Sequence, residues 1–219
     1  MSETILVTGA SAGFGQAICR RLVADGYRVI GSARRIDKLQ ALQEELGEAF
    51  YPLQMDVTDL SQVDHALASL PKDWEKVDVL VNNAGLALGL APAYEAEVAD
   101  WLTMIQTNIV GLTYLTRKIL PQMVERNDGY IINLGSTAGT VPYPGANVYG
   151  ASKAFVKQFS LNLRADLAGK KIRVSNIEPG LCEGTEFSSV RFKGDEKRVE
   201  ALYQDAHAIQ PEDIANTVA

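Results

Sequence analysis

The chain contains little cysteine, no excess of positive charge and no long apolar run. Cys19 and Cys182 are far apart and form no CxxC pair, which excludes a disulfide scaffold and a four-cysteine zinc site. No apolar run approaches the ~18 residues of a membrane span. The N terminus has neither the basic nor the long apolar region of a signal peptide. We therefore expect a cytoplasmic protein with reduced thiols, no membrane segment and no metal site.

Acidic residues outnumber basic ones, 27 to 21, which gives a net charge of -6 over 219 residues. Nucleic-acid coat proteins and polybasic membrane binders need a positive field, so neither nucleic acid nor a membrane is an expected partner. Hydrophobic residues make up 47% and charged residues 22%, a balance typical of an ordinary globular protein.

Short β-branched runs alternate with longer amphipathic stretches along the chain. The pattern predicts strands over 4–7, 28–32, 49–54, 77–81, 130–134 and 173–177. It predicts helices near 15–25, 37–46, 60–70, 98–126 and 149–167, then a loop over 180–194 and helical pieces near 195–208 and 212–219. Most strands are apolar throughout, which indicates a parallel sheet with helices on both faces. We expect one α/β domain over residues 1–219, a Rossmann-like doubly wound fold.

A glycine-rich turn follows the first predicted strand and opens the first helix: Gly9, Ala10, Ser11, Ala12, Gly13, Phe14 and Gly15. A dinucleotide site uses such glycines for a tight turn and a close approach to the pyrophosphate, which binds the helix N terminus. A structural turn is one alternative. The G-x-S-x-G nucleophile elbow of hydrolases, with His207 completing the triad, is another. That elbow follows several strands, whereas one strand precedes Ser11, which favours the dinucleotide site.

Residues at the ends of the second and third strands indicate which coenzyme binds. A NAD site carries an acid about 20 residues after the glycines. Arg34 and Arg35 stand there instead, and a guanidinium suits the 2′-phosphate of NADP. Arg34 is the better candidate, because Arg35 could be solvated surface. Asp56 could accept from the adenine amino group with Val57 against the ring, or Asp56 could simply end the strand.

Tyr149 and Lys153 are four residues apart on a predicted helix and therefore share one face. A tyrosine that gives a proton to a carbonyl oxygen needs a pKa about 2–3 units below its usual ~10, or ~3–4 kcal/mol. A lysine charge at ~4–5 Å supplies that at an effective dielectric of ~20. Tyr114 and Lys118 repeat the spacing. However, Ser136 lies 13 residues before Tyr149, just after a strand, where ligands bind, and the same offset from Tyr114 falls on mid-helix residue 101.

Further polar positions fit the same site. Ser136 could orient a substrate oxygen, or it could only end its strand. The fourth strand closes, beside the first, with Asn82, Asn83, Ala84 and Gly85, whose amides could stabilise the sheet and touch the adenosine ribose. Asn108 is a poor residue for a helix interior, which indicates a kink or a bound water unless it lies at the surface.

Several motifs occur together and in order: TGxxxGxG over 8–15, NNAG over 82–85, Asn108, Ser136, YxxxK over 149–153 and PG at 179–180. The chain resembles the short-chain dehydrogenase/reductase family over essentially its whole length. The segments 83–89, 135–139, 178–180 and 184–187 resemble the NADP-dependent 3-hydroxy acid dehydrogenases within it.

The resemblance implies a role for each motif residue. Tyr149 is the general acid/base, and Lys153 lowers the pKa of Tyr149 and holds the nicotinamide ribose. Ser136 orients the substrate carbonyl, and Asn108 anchors a proton-relay water. The nicotinamide end of NADP would contact Pro179, Gly180, Leu181, Thr185 and Phe187.

The chain departs from this resemblance in two places. Relatives usually continue beyond the position of Ala219 with a last strand and a segment that covers the substrate pocket, so we expect the last strand to be missing. Those parts often build a tetramer, which the resemblance implies here as the expected homo-oligomer. Cys182 and Glu183 replace small or apolar residues, either as a tolerated loop change or with an effect on substrate access.

The sequence therefore predicts an NADP-dependent oxidoreductase that moves hydride at C3 of a short hydroxy acid or semialdehyde. Substrates of the 3-hydroxypropionate, L-allo-threonine and serine type fit the resemblance. Arg191 and Lys193, in the predicted loop over the substrate, could pair with its carboxylate or be surface charge. A reductase of ketoacyl thioesters or other carbonyls and a non-catalytic NADP-binding protein are the alternatives.

Overall fold

The computed structural model describes residues 3–204 and 206–219. Its strands are β1 Thr4–Thr8, β2 Arg28–Ala33, β3 Phe50–Gln54, β4 Val79–Asn82, β5 Gly129–Leu134 and β6 Ile172–Ile177. Its α-helices are α1 Gly13–Ala24, α2 Ile36–Leu46, α3 Leu60–Ala68, α4 Val98–Ile105, α5 Leu112–Arg126, α6 Asn147–Asp166, α7 Phe187–Arg191, α8 Glu196–Tyr203 and α9 Pro211–Val218. Short 3-10 turns cover Gly47–Ala49, Lys72–Trp74 and Thr137–Gly139.

All six strands run parallel in one sheet of order β3-β2-β1-β4-β5-β6. The chain proceeds outward from β1 to β3 and then returns to pair β4 with the other side of β1. The order therefore reverses between β1 and β4, and a crevice opens at the carboxyl ends of these strands. The predicted doubly wound α/β fold is confirmed.

Helices cover both faces of the sheet, as predicted. On one face α1, α2 and α9 pack against side chains such as Val7 and Val81. On the other face α3, α5 and α6 pack against Leu6 and Leu80. Adjacent residues of one strand thus enter opposite cores, which explains why the strands are apolar throughout. No helix in the described ranges is long and apolar enough to cross a membrane.

Two segments differ from the sequence-based expectation. The long predicted helix over 98–126 is interrupted by a π-helical turn, Gln106–Gly111, between α4 and α5. Gly111 lies so close to the segment after β3 that a Cβ there would be 2.6 Å from the Val57 carbonyl oxygen. The predicted loop over 180–194 contains the five-residue α7, which is too short to produce a periodic pattern.

Candidate active site

A cavity of about 670 Å³ opens at the carboxyl ends of the central strands. Almost all of the predicted site residues line it, from Gly9 in the glycine turn to Arg191 in α7. The exceptions are Ala10, Gly15 and Asn108, which lie behind the cavity wall. Cys182 lines the cavity, whereas Glu183 does not and instead accepts a hydrogen bond from Gln210.

The glycine turn brings the first helix against the end of β1. Gly9 has a φ of 69°, and a Cβ on Gly15 would lie 2.3 Å from the Gly9 carbonyl oxygen, so a side chain at Gly15 would push α1 away. Asn83 fastens the turn by donating from its side chain to the Thr8 carbonyl oxygen at 2.7 Å. Asn83 and Ala84 thus hold the turn in shape, in addition to lining the cavity.

The N terminus of α1 has the donors that a pyrophosphate needs. Ala12 is the N-cap and provides no side-chain cap, so the first backbone N–H groups of α1 are left for a ligand. Gly13 and Phe14, the first residues of the helix, line the cavity. These residues fit the phosphate groups of a dinucleotide.

The adenosine end of the cavity contains two arginines in different surroundings. Arg34 is exposed, and in the described ranges its side chain has no hydrogen-bond or ion-pair partner. Arg35 pairs with Glu186 and with the Ser11 hydroxyl. One carboxylate oxygen of Asp56 accepts hydrogen bonds from the amide and the hydroxyl of Thr58 and thereby stabilises the turn after β3. Arg34 is therefore the guanidinium that fits a 2′-phosphate.

Tyr149 lies near the start of α6 with its side chain buried against Phe187, the ring centroids 5.8 Å apart. Burial raises the pKa of Tyr149 above its ordinary value of 10.0, while interactions with the Ser136 hydroxyl and the Arg191 guanidinium lower it. Ser136 lies two residues after β5, where its hydroxyl accepts from the Ala138 amide at 3.2 Å. The phenol and the serine hydroxyl thus meet at one position in the cavity.

Lys153 is buried one helical turn below Tyr149. Its Nζ donates to the Leu134 carbonyl oxygen at 2.8 Å and lies 5.9 Å from the centroid of the Tyr149 ring. Burial lowers the pKa of Lys153 to about 8. Burial has the largest effect on the Tyr149 pKa and outweighs the Ser136 hydrogen bond and the Arg191 charge, the two interactions that lower it. The lowering of this pKa by Lys153 stays a prediction.

Asn108 occupies the π-helical turn, which directs its side chain inward. Its amide donates to the Leu86 carbonyl oxygen and to the Ser152 hydroxyl, and its Oδ1 accepts from the Leu86 amide. A Cβ on Gly85 would lie 3.3 Å from both the Asn108 Oδ1 and the Lys153 Nζ. Asn108 is therefore buried rather than at the surface, and Gly85 leaves open the space between these two polar groups.

Arg191 enters the cavity from α7 with 9% of its surface exposed. Its Nε donates to the Gly89 carbonyl oxygen, and its guanidinium lies over the rings of Tyr143 and Tyr149 at 5.4 and 5.5 Å. The Nη2 of Arg191 is buried without a hydrogen-bond partner among the described residues. Lys193, the other cation of this loop, pairs with Asp100 at 2.9 Å and does not line the cavity.

Two competing sequence patterns are not supported by the geometry. The hydroxyl of Ser11 accepts from Arg35, and His207 is exposed outside the cavity, so no hydrolase triad forms. Tyr114 and Lys118 both bind Asp64 beside a different pocket. Within residues 3–204 and 206–219, no cluster of His, Cys, Asp or Glu could hold a metal ion.

Sequence reasoning did not single out several residues that line this cavity, among them Tyr143. Tyr143 lies in a loop segment without periodicity. The Tyr-Pro-Gly run that begins at Tyr143 gave the only local signal, that of a turn.

A comparison with protein families identifies the family to which the chain belongs. The profile of the family described as short chain dehydrogenase matches residues 3–196. The chain belongs to the short-chain dehydrogenase/reductase family. The family predicted from the sequence motifs is thereby confirmed.

Individual family members are similar over nearly the whole chain. A "Probable NADP-dependent dehydrogenase" of Haemophilus influenzae is 61% identical, covering 99% of this chain and 86% of that protein. The "NADP-dependent 3-hydroxy acid dehydrogenase YdfG" of Escherichia coli K12 is 58% identical over 98% of this chain and 86% of that protein. A solved structure, the closed form of serine dehydrogenase complexed with NADP+, matches with a TM-score of 0.97 at 58% identity and covers 98% of this chain and 87% of that one.

Proposed function

We propose that this family member is an NADP-dependent oxidoreductase that transfers hydride between the nicotinamide and C3 of a short 3-hydroxy acid or its semialdehyde. The observation that carries the proposal is the meeting of Ser136, Tyr149, Lys153 and Arg191 around one cavity. The high identity to NADP-dependent 3-hydroxy acid and serine dehydrogenases supports the same substrate class.

The coenzyme, when bound, supplies the hydride acceptor or donor. Tyr149 is placed to exchange the proton of the substrate oxygen, because its phenol is the titratable group beside Ser136. Ser136 orients that oxygen by a hydrogen bond. Burial favours the protonated phenol, the form required to donate a proton during carbonyl reduction.

Lys153 and Asn108 have accessory roles in the proposed reaction, in coenzyme binding and in proton transfer to Tyr149. Lys153 is within one helical turn and is held by the Leu134 carbonyl oxygen, so it is positioned for the hydroxyls of the nicotinamide ribose. The Asn108 Oδ1 and the Lys153 Nζ both border the space left by Gly85, each 3.3 Å from the position of a Cβ there, and this space is the path proposed for the proton relay. Protons could thus reach Tyr149 without crossing the open cavity.

Two regions of the cavity support the preference for NADP. The free N–H groups at the start of α1 fit the pyrophosphate, and Arg34 fits the 2′-phosphate at the end of β2. No acid stands between Val29 and Ile36 to accept from the 2′-hydroxyl of NAD. The coenzyme is therefore selected by charge at its adenosine end.

Arg191 is the proposed partner of the substrate carboxylate. A buried guanidinium with an unpaired Nη2 is costly unless a ligand supplies an acceptor. The group lies over the Tyr149 ring, so a carboxylate bound to it would be a few atoms from the reacting carbon. A short acid, with its carboxylate two bonds from C3, matches this separation.

Replacing Arg191 with methionine is expected to lower kcat/KM for 3-hydroxy acids about 10- to 100-fold, the worth of one or two charge-assisted hydrogen bonds. For the methyl ester of the same acid, the kcat/KM of the variant should fall less than about threefold, because the ester has no charge to pair with Arg191. Lys193→Met is the matched control and should leave both values unchanged, since Lys193 binds Asp100 outside the cavity. Equal losses for the acid and its ester would contradict the assignment.

A substrate panel tests the proposed function as a whole. We expect turnover of 3-hydroxypropionate, L-allo-threonine or serine with NADP and far weaker turnover with NAD, followed by the absorbance of the reduced nicotinamide. Turnover of a ketoacyl thioester alone would favour the thioester reductase instead. Binding of NADP without turnover of any panel member would favour a non-catalytic NADP-binding protein.

We also propose that the protein is a cytoplasmic homo-oligomer, a tetramer by family resemblance. Two neighbouring helices, α4 and α6, carry large exposed apolar side chains: Val98, Leu102, Ile105, Phe155 and Leu161. A second copy of the chain could cover this face, because contiguous exposed apolar surface is uncommon on monomers. Light scattering on the purified protein measures the number of subunits.

A further inference from the structure

An ion pair links two sides of the opening of the cavity. Arg35, at the junction of β2 and α2, donates from Nη2 and Nη1 to the two carboxylate oxygens of Glu186 at 2.8 and 3.2 Å. Glu186 is the residue immediately before α7, in the segment that also brings Arg191 to the substrate end. The two partners are 151 positions apart in sequence, and both line the cavity.

The same guanidinium also holds the glycine turn. Its Nε and Nη2 donate to the Ser11 hydroxyl at 3.3 and 3.1 Å. Four of the five N–H groups of Arg35 are therefore taken by Ser11 and Glu186, and its charge is balanced by the carboxylate. Arg35 is thus committed to joining three segments, whereas Arg34 is the arginine left for the coenzyme.

A second contact lies beside the ion pair. A Cβ on Gly13 would be 3.2 Å from the Cβ and Cγ2 of Thr185, so the segment before α7 rests directly on the glycine turn. The turn is where a dinucleotide pyrophosphate would bind. A coenzyme in this position would lie beneath the segment, and Thr185 and Glu186 would have to lift before it could leave.

We propose that Glu186 is a positioning residue whose ion pair with Arg35 forms a strap over the coenzyme and limits coenzyme release. The proposal rests on the proposed function, since it requires NADP in this cavity. Because the strap and Arg191 belong to one segment, its opening also withdraws the substrate-binding side chain from the cavity. Retention of coenzyme and closure over substrate are therefore the same movement.

The ion pair of the strap is weak enough to open in each catalytic cycle. Arg35 and Glu186 have side chains that are 42% and 56% exposed, so water and salt weaken their attraction. Breaking such a pair changes a rate by about two- to fivefold. In many enzymes the opening of a loop and the release of product, rather than the chemistry, set kcat.

The test is the rate at which NADPH leaves the protein, measured by stopped-flow fluorescence with excess NADP as the competitor. Glu186→Gln keeps the size of the side chain and removes its charge, and we expect the release rate to rise about two- to fivefold. NADH release should rise by a similar factor, because the strap does not involve the 2′-phosphate. Added salt should speed release from the wild type by a larger factor than release from the variant, because the variant keeps only the contacts of the protein with the coenzyme phosphates.

Glu183→Gln is the matched control, because Glu183 belongs to the same segment but binds Gln210 away from the opening. Its release rates should equal those of the wild type. Unchanged release from Glu186→Gln would overturn the strap while leaving the proposed function intact. Slower release of NADPH alone would also overturn it, showing that Glu186 competes with the 2′-phosphate for Arg35. Failure of the wild type to bind NADPH would overturn the proposed function and the strap together.

Discussion

Tyr149→Phe is expected to lower kcat about 10²- to 10⁴-fold, the range that a general acid or base contributes. The dissociation constant of NADPH should change by less than about twofold, because the phenyl ring retains its packing against Phe187. Steady-state assays with a 3-hydroxy acid and fluorescence titration with NADPH measure the two quantities. The loss should appear in kcat and in kcat/KM equally, since the phenol acts in the transition state.

Tyr114→Phe is the control for this substitution. Tyr114 has a lysine four residues later, as Tyr149 does, but its hydroxyl donates to Asp64 at 2.9 Å beside another pocket. Its kcat should equal that of the wild type. If Tyr149→Phe kept more than about a tenth of the wild-type kcat, another group would have to be the general acid/base.

Lys153→Met is expected to abolish most activity and yet to leave the protein at least as stable at pH 7. Burial lowers the pKa of Lys153 from 10.5 to about 8, so the folded protein binds this proton more weakly than the unfolded chain does. Below pH 8 the charged, buried ammonium therefore destabilises the fold by about 3 kcal/mol, at ~1.4 kcal/mol per pKa unit. The variant lacks this penalty but loses the hydrogen bond to the Leu134 carbonyl oxygen, worth about 1–3 kcal/mol.

The sign of the pH dependence distinguishes this effect from simple repacking. Between pH 8 and 10.5 the unfolded wild type binds more protons, so the unfolding free energy of the wild type rises with pH relative to the variant. Urea unfolding across this range should show the stability advantage of the variant shrinking by about 3 kcal/mol. Lys157→Met, one turn further along α6 with its side chain 40% exposed, is the control and should show no such trend. A constant difference between Lys153→Met and the wild type would contradict the buried-charge interpretation.

Features that depend on local pattern could be predicted from the sequence. Continuous apolar strands such as β1 and β4 identified a parallel sheet, because each strand faces two cores. The glycine turn and the Tyr149–Lys153 spacing predicted where the pyrophosphate and the reacting groups would lie, since each motif needs a fixed backbone geometry. The reversal of strand order beside β1 then followed from the doubly wound topology, which right-handed crossovers favour.

Features that depend on tertiary contacts could not be predicted. The pairing of Arg35 with Glu186 joins residues 151 positions apart, and no local pattern marks it. Arg191 and Lys193 look alike in sequence, but one is buried over Tyr149 and the other pairs with Asp100. The direction of the Tyr149 pKa shift also required the structure, because burial, which the sequence does not quantify, outweighs the Ser136 hydrogen bond and the Arg191 charge.

The proton on the Tyr149 phenol is the central element of the proposed chemistry. Its titration can be followed by the near-ultraviolet absorbance of tyrosinate, with Tyr149→Phe as the blank, in the presence and absence of NADP+. Without coenzyme we expect ionisation only above the ordinary value of 10.0, because the side chain is buried. When NADP+ is bound, the positive charge of its nicotinamide ring should shift the ionisation of Tyr149 to lower pH. The same titration curve under both conditions would contradict the role assigned to Tyr149.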